Sequence, residues 1–166
     1  MDLARTIKHL LATRHGARRR FGASGMTAID QAIAEAKALH GGEIRFAIEP
    51  ALHPVQLWRD VGPRERAIEL FSELRVWDTE HNGGVLIYVL LADRAIEIVA
   101  DRGVHGRVGE AGWTSIADAM RAEFAAGRFL AGALVGIAAV SRELHTFLPT
   151  DAMPVGEKAG SPRCER

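Results

Sequence analysis

Between Trp77 and Gly84 the chain reads WDTEHNGG, which sets the oxygen-bearing side chains of Asp78, Glu80 and Asn82 on alternate positions ahead of two glycines. That placement can aim several oxygens at one point, and an all-oxygen set suits calcium or magnesium better than zinc, which favours histidine and cysteine. An EF-hand is excluded, because the twelfth position counted from Asp78, where a bidentate glutamate would close the shell, is Val89 inside an apolar run. The same residues are ordinary turn formers, so a simple capped turn stays open as an alternative.

Further ligands depend on the elements that flank the loop. VLIYVLLA, Val85 to Ala92, is short and apolar throughout, which reads as a central strand covered on both faces. Ala95 to Asp101 alternates Ile96, Ile98 and Ala100 with Glu97 and Asp101, and the tight ADR connection predicts an antiparallel hairpin turning at Asp93. The hairpin brings Asp101 back beside Val85. An earlier strand, EIRFAIE from Glu43 to Glu49, alternates in the same way. Laid parallel beside the second strand, it starts with Glu43 at the same end. The expectation is therefore an acidic rim of Glu43, Asp78, Glu80, Asn82 and Asp101, with the last four as metal ligands and Glu43 as the candidate catalytic acid or base. A competing cluster of Glu49, Asp93 and Arg94 gathers at the opposite end, the usual ligand end of open α/β sheets, but offers fewer convergent oxygens.

The remaining pattern is helical. Leu3, Ile7, Leu10 and Leu11 recur at helical spacing over residues 2–14, and RHGARRR then reads as a basic elbow. Met26 to His40 forms a helix stopped by Gly41 and Gly42. After the loop PALHPVQLWRDVG, Pro63 opens a helix through Ala67, Ile68, Phe71 and Leu74. Two helices close the domain, the second carrying Gly132, Gly136, Ala138 and Ala139, small residues expected to approach the sheet closely. The fold class is α/β, with a small mixed sheet formed by a parallel first pair and an antiparallel hairpin. The segments divide as 1–19, an amphipathic helix and basic elbow; 20–149, the α/β domain; and 150–166, a tail without periodicity that reads as disordered.

With 166 residues the chain can bury a core without staples, and its formal charge of +0 supplies no global field for nucleic acid or anionic lipid. Any such partner would need a local patch. The single cysteine, Cys164, forms no internal disulfide, and the N-terminus lacks an apolar secretory core, so the expectation is a cytoplasmic protein. FLAGALVGIAAV is too short to span a bilayer; the sequence shows no transmembrane segment, although contact with a membrane surface is left open. The arginines of RHGARRR lack interleaved aromatics, which argues against nucleic-acid binding. No serine sits in a nucleophile elbow, and DRGVHGRVG has the wrong glycine spacing for a dinucleotide fingerprint, so it reads as a flexible loop beside the rim.

Taken together, HGGEIRFAIE, WDTEHNGGVLIYVLLADRAIEIVADRGV and FAAGRFLAGALVGI resemble, in this order, the motifs of the TPM domain family over about residues 20–149. The resemblance implies a three-layer α/β/α domain. It also implies two functional classes, since a thylakoid-lumen relative is associated with acid phosphatase activity in photosystem repair, some members bind calcium or another divalent ion, and others act as accessory factors to membrane proteins. Glu43, Asn82, Gly83, Asp93 and Arg94 occupy positions that match the family pattern. The first expectation is a non-catalytic, divalent-metal-binding module that engages a protein partner. The alternative is a metal-assisted phosphatase acting on a phosphomonoester, which depends on the ion because a bare acidic rim repels phosphate.

Overall fold

A computed structural model describes residues 3–12, 14–22, 24–79 and 81–149, apart from the side chains of residues 14, 15, 17 and 18. Glu80 and the expected tail from residue 150 onward lie outside the described residues. The sheet has three strands in the order β1-β2-β3, with β1 Glu43–Glu49, β2 Gly84–Leu90 and β3 Ala95–Ala100. β1 runs parallel to β2, with Glu43 opposite Gly84 and Glu49 opposite Leu90. β2 and β3 are antiparallel, with Val85 opposite Ala100. Both orientations agree with the sequence reading.

Alternation along β2 separates two apolar cores. Val85, Ile87 and Val89 face one side, where they join Ile44, Ile96 and Ile98 beneath three helices: α3 Gly25–Lys37, α6 Arg102–Ala125 and α7 Phe129–Phe147. Leu86, Tyr88 and Leu90 face the other, where α4 Pro54–Trp58 and α5 Pro63–Glu73 contribute Leu57, Ala67 and Phe71. Every residue of β2 is buried, which is why its sequence shows no polar alternation. The result is a small mixed sheet between two helical layers. No helix among the described residues is long and apolar enough to cross a membrane.

Several local expectations change. The segment after β1 is not all loop: His53 accepts the Val55 N–H, Gln56 reaches back to the His53 N–H, and this reciprocal cap starts α4 at Pro54. DRGVHGRVG is helical rather than a flexible loop, because Asp101 caps α6 directly; Gly109, at φ 74, absorbs a kink inside it. The glycines of α7 meet α6 rather than the sheet, and Ala138 is exposed. A Cβ at Gly132 would lie 2.6 Å from Phe124 Cδ1, and one at Gly136 would overlap Met120 Sδ. Helix–helix contact at this separation leaves no room for a side chain.

The N-terminal segment forms α1 Leu3–Leu11 and α2 Arg14–Phe21, so the basic elbow is itself helical. Phe21 anchors α2 in the main core, edge-on to Phe124 and Phe129 with ring centroids 6.0 and 5.8 Å away. α1 buries a single side chain, His9. Its amphipathic pattern, read from sequence as a packing stripe, points away from the body of the protein.

Candidate functional site

Two ends of the sheet carry polar chemistry. At the first, the starts of β1 and β2 meet the end of β3. The Glu43 N–H donates to Gly83 O at 3.1 Å and the Asp101 N–H to Gly84 O at 2.8 Å, so Glu43, the Asn82–Gly84 segment and Asp101 share this end as expected. The hairpin pairs Ala100 rather than Asp101 with Val85, one residue off the sequence register. Asp101 therefore stands just beyond the ladder, where its side chain is free to leave the strand.

The loop before β2 is closed by Thr79. Its Oγ1 accepts the Gly83 N–H at 2.9 Å, and its carbonyl accepts the Asn82 N–H at 3.3 Å. Asn82 takes φ 49, a left-handed conformation that asparagine tolerates better than most residues. Its backbone lies close under α6, since a Cβ at Gly103 would sit 2.8 Å from Asn82 O. Asp78 is exposed in the turn that precedes it. Thr79 was not singled out by the sequence, although its hydroxyl four residues before a strand-opening glycine is the local cue.

The carboxylates differ in what they hold. Glu43 is engaged by Arg45, with Nε 2.6 Å from Oε1. Asp101 uses one oxygen as the α6 cap, accepting the Arg102 N–H at 2.7 Å. Its other oxygen, Oδ2, is buried and has no hydrogen-bond partner among the described residues. A carboxylate oxygen withdrawn from water without a donor is costly, and a cation beside it would remove that cost. Fit to a divalent ion is partial: Asp101 and Asn82 supply hard oxygens, yet among the described residues no three His, Cys, Asp or Glu side chains are grouped so as to hold a metal.

At the opposite end Asp93 and Glu49 organise separate networks. Asp93, in the β2–β3 turn, accepts Arg5 Nη2 at 2.9 Å, Arg5 Nε at 3.1 Å and His9 Nε2 at 2.9 Å. His9 Nδ1 in turn accepts the Leu52 N–H at 2.9 Å, which fixes the proton on Nε2 and makes the ring a donor to Asp93. Burial alone would raise the Asp93 pKa, but Arg5 and then His9 outweigh it and hold the carboxyl below its ordinary value. Glu49 accepts both Arg66, at 2.8 Å, and the Tyr88 hydroxyl, at 2.7 Å. Burial first, and then the bond to Glu49, push the Tyr88 phenol well above its ordinary value. Arg94, expected beside Glu49 and Asp93, is exposed with φ 52 in the turn.

Residues 21–143 match the TPM domain. The chain belongs to the TPM domain family. Two solved structures resemble it in shape. The BA42 protein of the psychrophilic bacterium Bizionia argentinensis, determined by NMR, shares 28% identity with a TM-score of 0.69, over 79% of this chain and 86% of that one. The N-terminal domain of a P. gingivalis protein, also determined by NMR, aligns with a TM-score of 0.63 at 19% identity, over 76% of this chain and 78% of that one, and supports the fold alone. No curated protein matches the chain. The TPM match begins at Phe21 and so leaves α1 outside it.

Proposed function

We propose that this TPM domain is a non-catalytic binding module whose rim at the starts of β1 and β2 takes a divalent cation, calcium or magnesium. What supports the reading above all is Asp101 Oδ2, a buried carboxylate oxygen without a donor among the described residues, at the end of the sheet where Asn82 and Glu43 also lie. In this reading Asp101 is the anionic anchor, Asn82 adds an amide oxygen, the exposed Asp78 adds a carboxylate, and Glu80 is the remaining ligand on the strength of its spacing in the sequence. Glu43 orients the rim through Arg45. A bound ion would supply a positive charge able to attract an acidic or phosphorylated partner.

The non-catalytic half of the reading rests on what the polar groups already do. His9 has both ring nitrogens engaged, by Asp93 and by the Leu52 N–H, so it has no free lone pair with which to act as a base. Ser72 donates to Ile68 O within its own helix. Metal-assisted hydrolysis of a phosphomonoester is the alternative role for the same rim, with Glu43 as the acid or base, and it requires the ion first.

Thermal unfolding with and without millimolar calcium or magnesium tests the proposal, together with hydrolysis of p-nitrophenyl phosphate in the same buffers. An ion at a hundred times its dissociation constant adds about 2.7 kcal/mol to the folded state. The proposal expects a raised melting temperature and no hydrolysis. Ion-dependent turnover would favour the phosphatase, and a melting temperature indifferent to both ions would remove the cation site from either role.

A further inference from the structure

α1 is turned inside out relative to an ordinary amphipathic helix. Arg5 and His9, one turn apart, face the body and clamp Asp93 in the β2–β3 turn; Arg5 Nη2 also donates to Val61 O at 2.8 Å. At about 100° per residue, Leu3, Ile7, Leu10 and Leu11 fall on the opposite side of the helix. They are exposed by 69, 48, 68 and 76%. Four large apolar side chains displayed together on one short helix are not the scattered exposure of an ordinary surface. Among the described residues, the hydrogen bonds that tie α1 to the body come from Arg5 and His9, on the face away from this exposed stripe.

Charge beside the stripe indicates what would cover it. Within residues 1–20 the sequence carries Arg5, Lys8, Arg14, Arg18, Arg19 and Arg20 against Asp2 alone, in a chain whose formal charge is +0. Lys8, Leu11, Arg20 and Arg94 border a single crevice of ≈ 520 Å³ between α1, α2 and the β2–β3 turn. An apolar stripe edged by cations matches an anionic bilayer, where the leucines enter the headgroup boundary and the cations meet lipid phosphates. Nucleic acid would use the cations but would leave the stripe bare.

We infer that α1 is a membrane-docking helix that seats this TPM domain on an anionic lipid surface through Leu3, Ile7, Leu10 and Leu11, with Lys8, Arg20 and Arg94 engaging headgroup phosphates. The inference is independent of the cation rim, which lies at the other end of the sheet. It requires no rearrangement of the core, because α1 places only His9 inside. The Arg5–Asp93–His9 clamp holds the stripe facing outward and fixes the orientation in which the domain meets the bilayer.

Co-sedimentation of the full chain with phosphatidylcholine vesicles, with and without phosphatidylglycerol, tests it. The expected result is binding to the phosphatidylglycerol vesicles and little to phosphatidylcholine alone. A combined Leu3→Ser, Ile7→Ser, Leu10→Ser and Leu11→Ser variant, with its circular dichroism and melting temperature retained, should lose that binding. A Lys8→Gln, Arg20→Gln and Arg94→Gln variant should bind roughly a hundredfold more weakly, at about a fivefold contribution per cation near the surface. Absence of binding to either vesicle overturns the inference. So does binding that survives loss of the apolar stripe, self-association through the stripe that is indifferent to vesicles, or equal retention of wild type and serine variant by duplex DNA.

Discussion

Replacing Asp93 with asparagine should release α1 while leaving the sheet and its two cores in place. Asp93 accepts from two donors, Arg5 and His9, and the His9 tautomer is fixed by the Leu52 N–H, so neither partner can reverse its role. Asparagine offers one acceptor oxygen and turns its amide N–H groups toward the other donor. Hydrogen bonds to a charged group contribute about 1.5–3 kcal/mol each. The Arg5 and Asp93 side chains are 20 and 13% exposed, and solvent screening trims the value toward the lower end. The net loss is then about 2 kcal/mol, or roughly thirtyfold in the opening equilibrium of α1. A helix of nine residues does not persist alone, so opening should expose its amides together. Hydrogen exchange read by NMR should show the amides of Ile7–Leu11, which bond back into the helix, accelerating by that factor in Asp93→Asn, with β2 amides unchanged. Equal acceleration in α1 and β2, or none in α1, would refute the clamp. Acid should act in the same sense. Because the folded-state pKa of Asp93 lies below its ordinary 3.8, the clamp is complete above that value and is lost as pH falls through the lower folded value.

Two further outcomes follow from buried polar groups. Tyr88 is the chain's single tyrosine, and its phenol is pushed far above its ordinary 10.0, so ultraviolet titration should show no phenolate until the protein unfolds. Only the unfolded chain releases that proton near pH 10, so stability should start to fall as pH passes this value, and Tyr88→Phe should remove that dependence while costing about 1–2 kcal/mol by denaturant unfolding. His40 is buried, and burial, only partly opposed by the Gly42 backbone and reinforced by the nearby His145, holds its pKa below 6.5. Stability from His40 is complete above pH 6.5 and is lost as pH falls through its lower folded-state value, so His40→Leu should flatten the melting-temperature profile on the acid side.

Much of the fold was legible because its signals are local and periodic. The unbroken apolar run of β2 predicts burial on both faces, and the short ADR turn predicts the hairpin; both are present. Parallel placement of β1 was a condition of the rim expected from the sequence, and the structure meets it through a crossover that holds two helices, α4 and α5. Other features depend on partners distant in sequence. α1 shows the helical period of a packing stripe, but the Arg5 and His9 contacts to Asp93, 88 and 84 residues away, turn that stripe to the outside. The α7 glycines announce a close approach without naming the neighbour, which proves to be α6. At the rim, spacing placed Glu43, Asn82 and Asp101 at one end, yet it did not foresee that Arg45 would engage Glu43 or that Asp101 would divide its oxygens between a helix cap and an orphaned position. Tyr88 carries the one hydroxyl in VLIYVLLA, and reading that run as apolar throughout missed its bond into the Glu49–Arg66 network at the other end.

Calorimetric titration of the full chain with calcium and with magnesium, repeated on Asp101→Ser, addresses the proposed cation rim most directly. Serine keeps a hydroxyl to cap α6 and removes the unpaired oxygen, so helix content should persist while the binding heat disappears. Saturable binding in the wild type that is lost in Asp101→Ser is the predicted result. No heat with either ion, or equal affinity in the two proteins, would contradict the assignment of Asp101 as the anchor of a cation site.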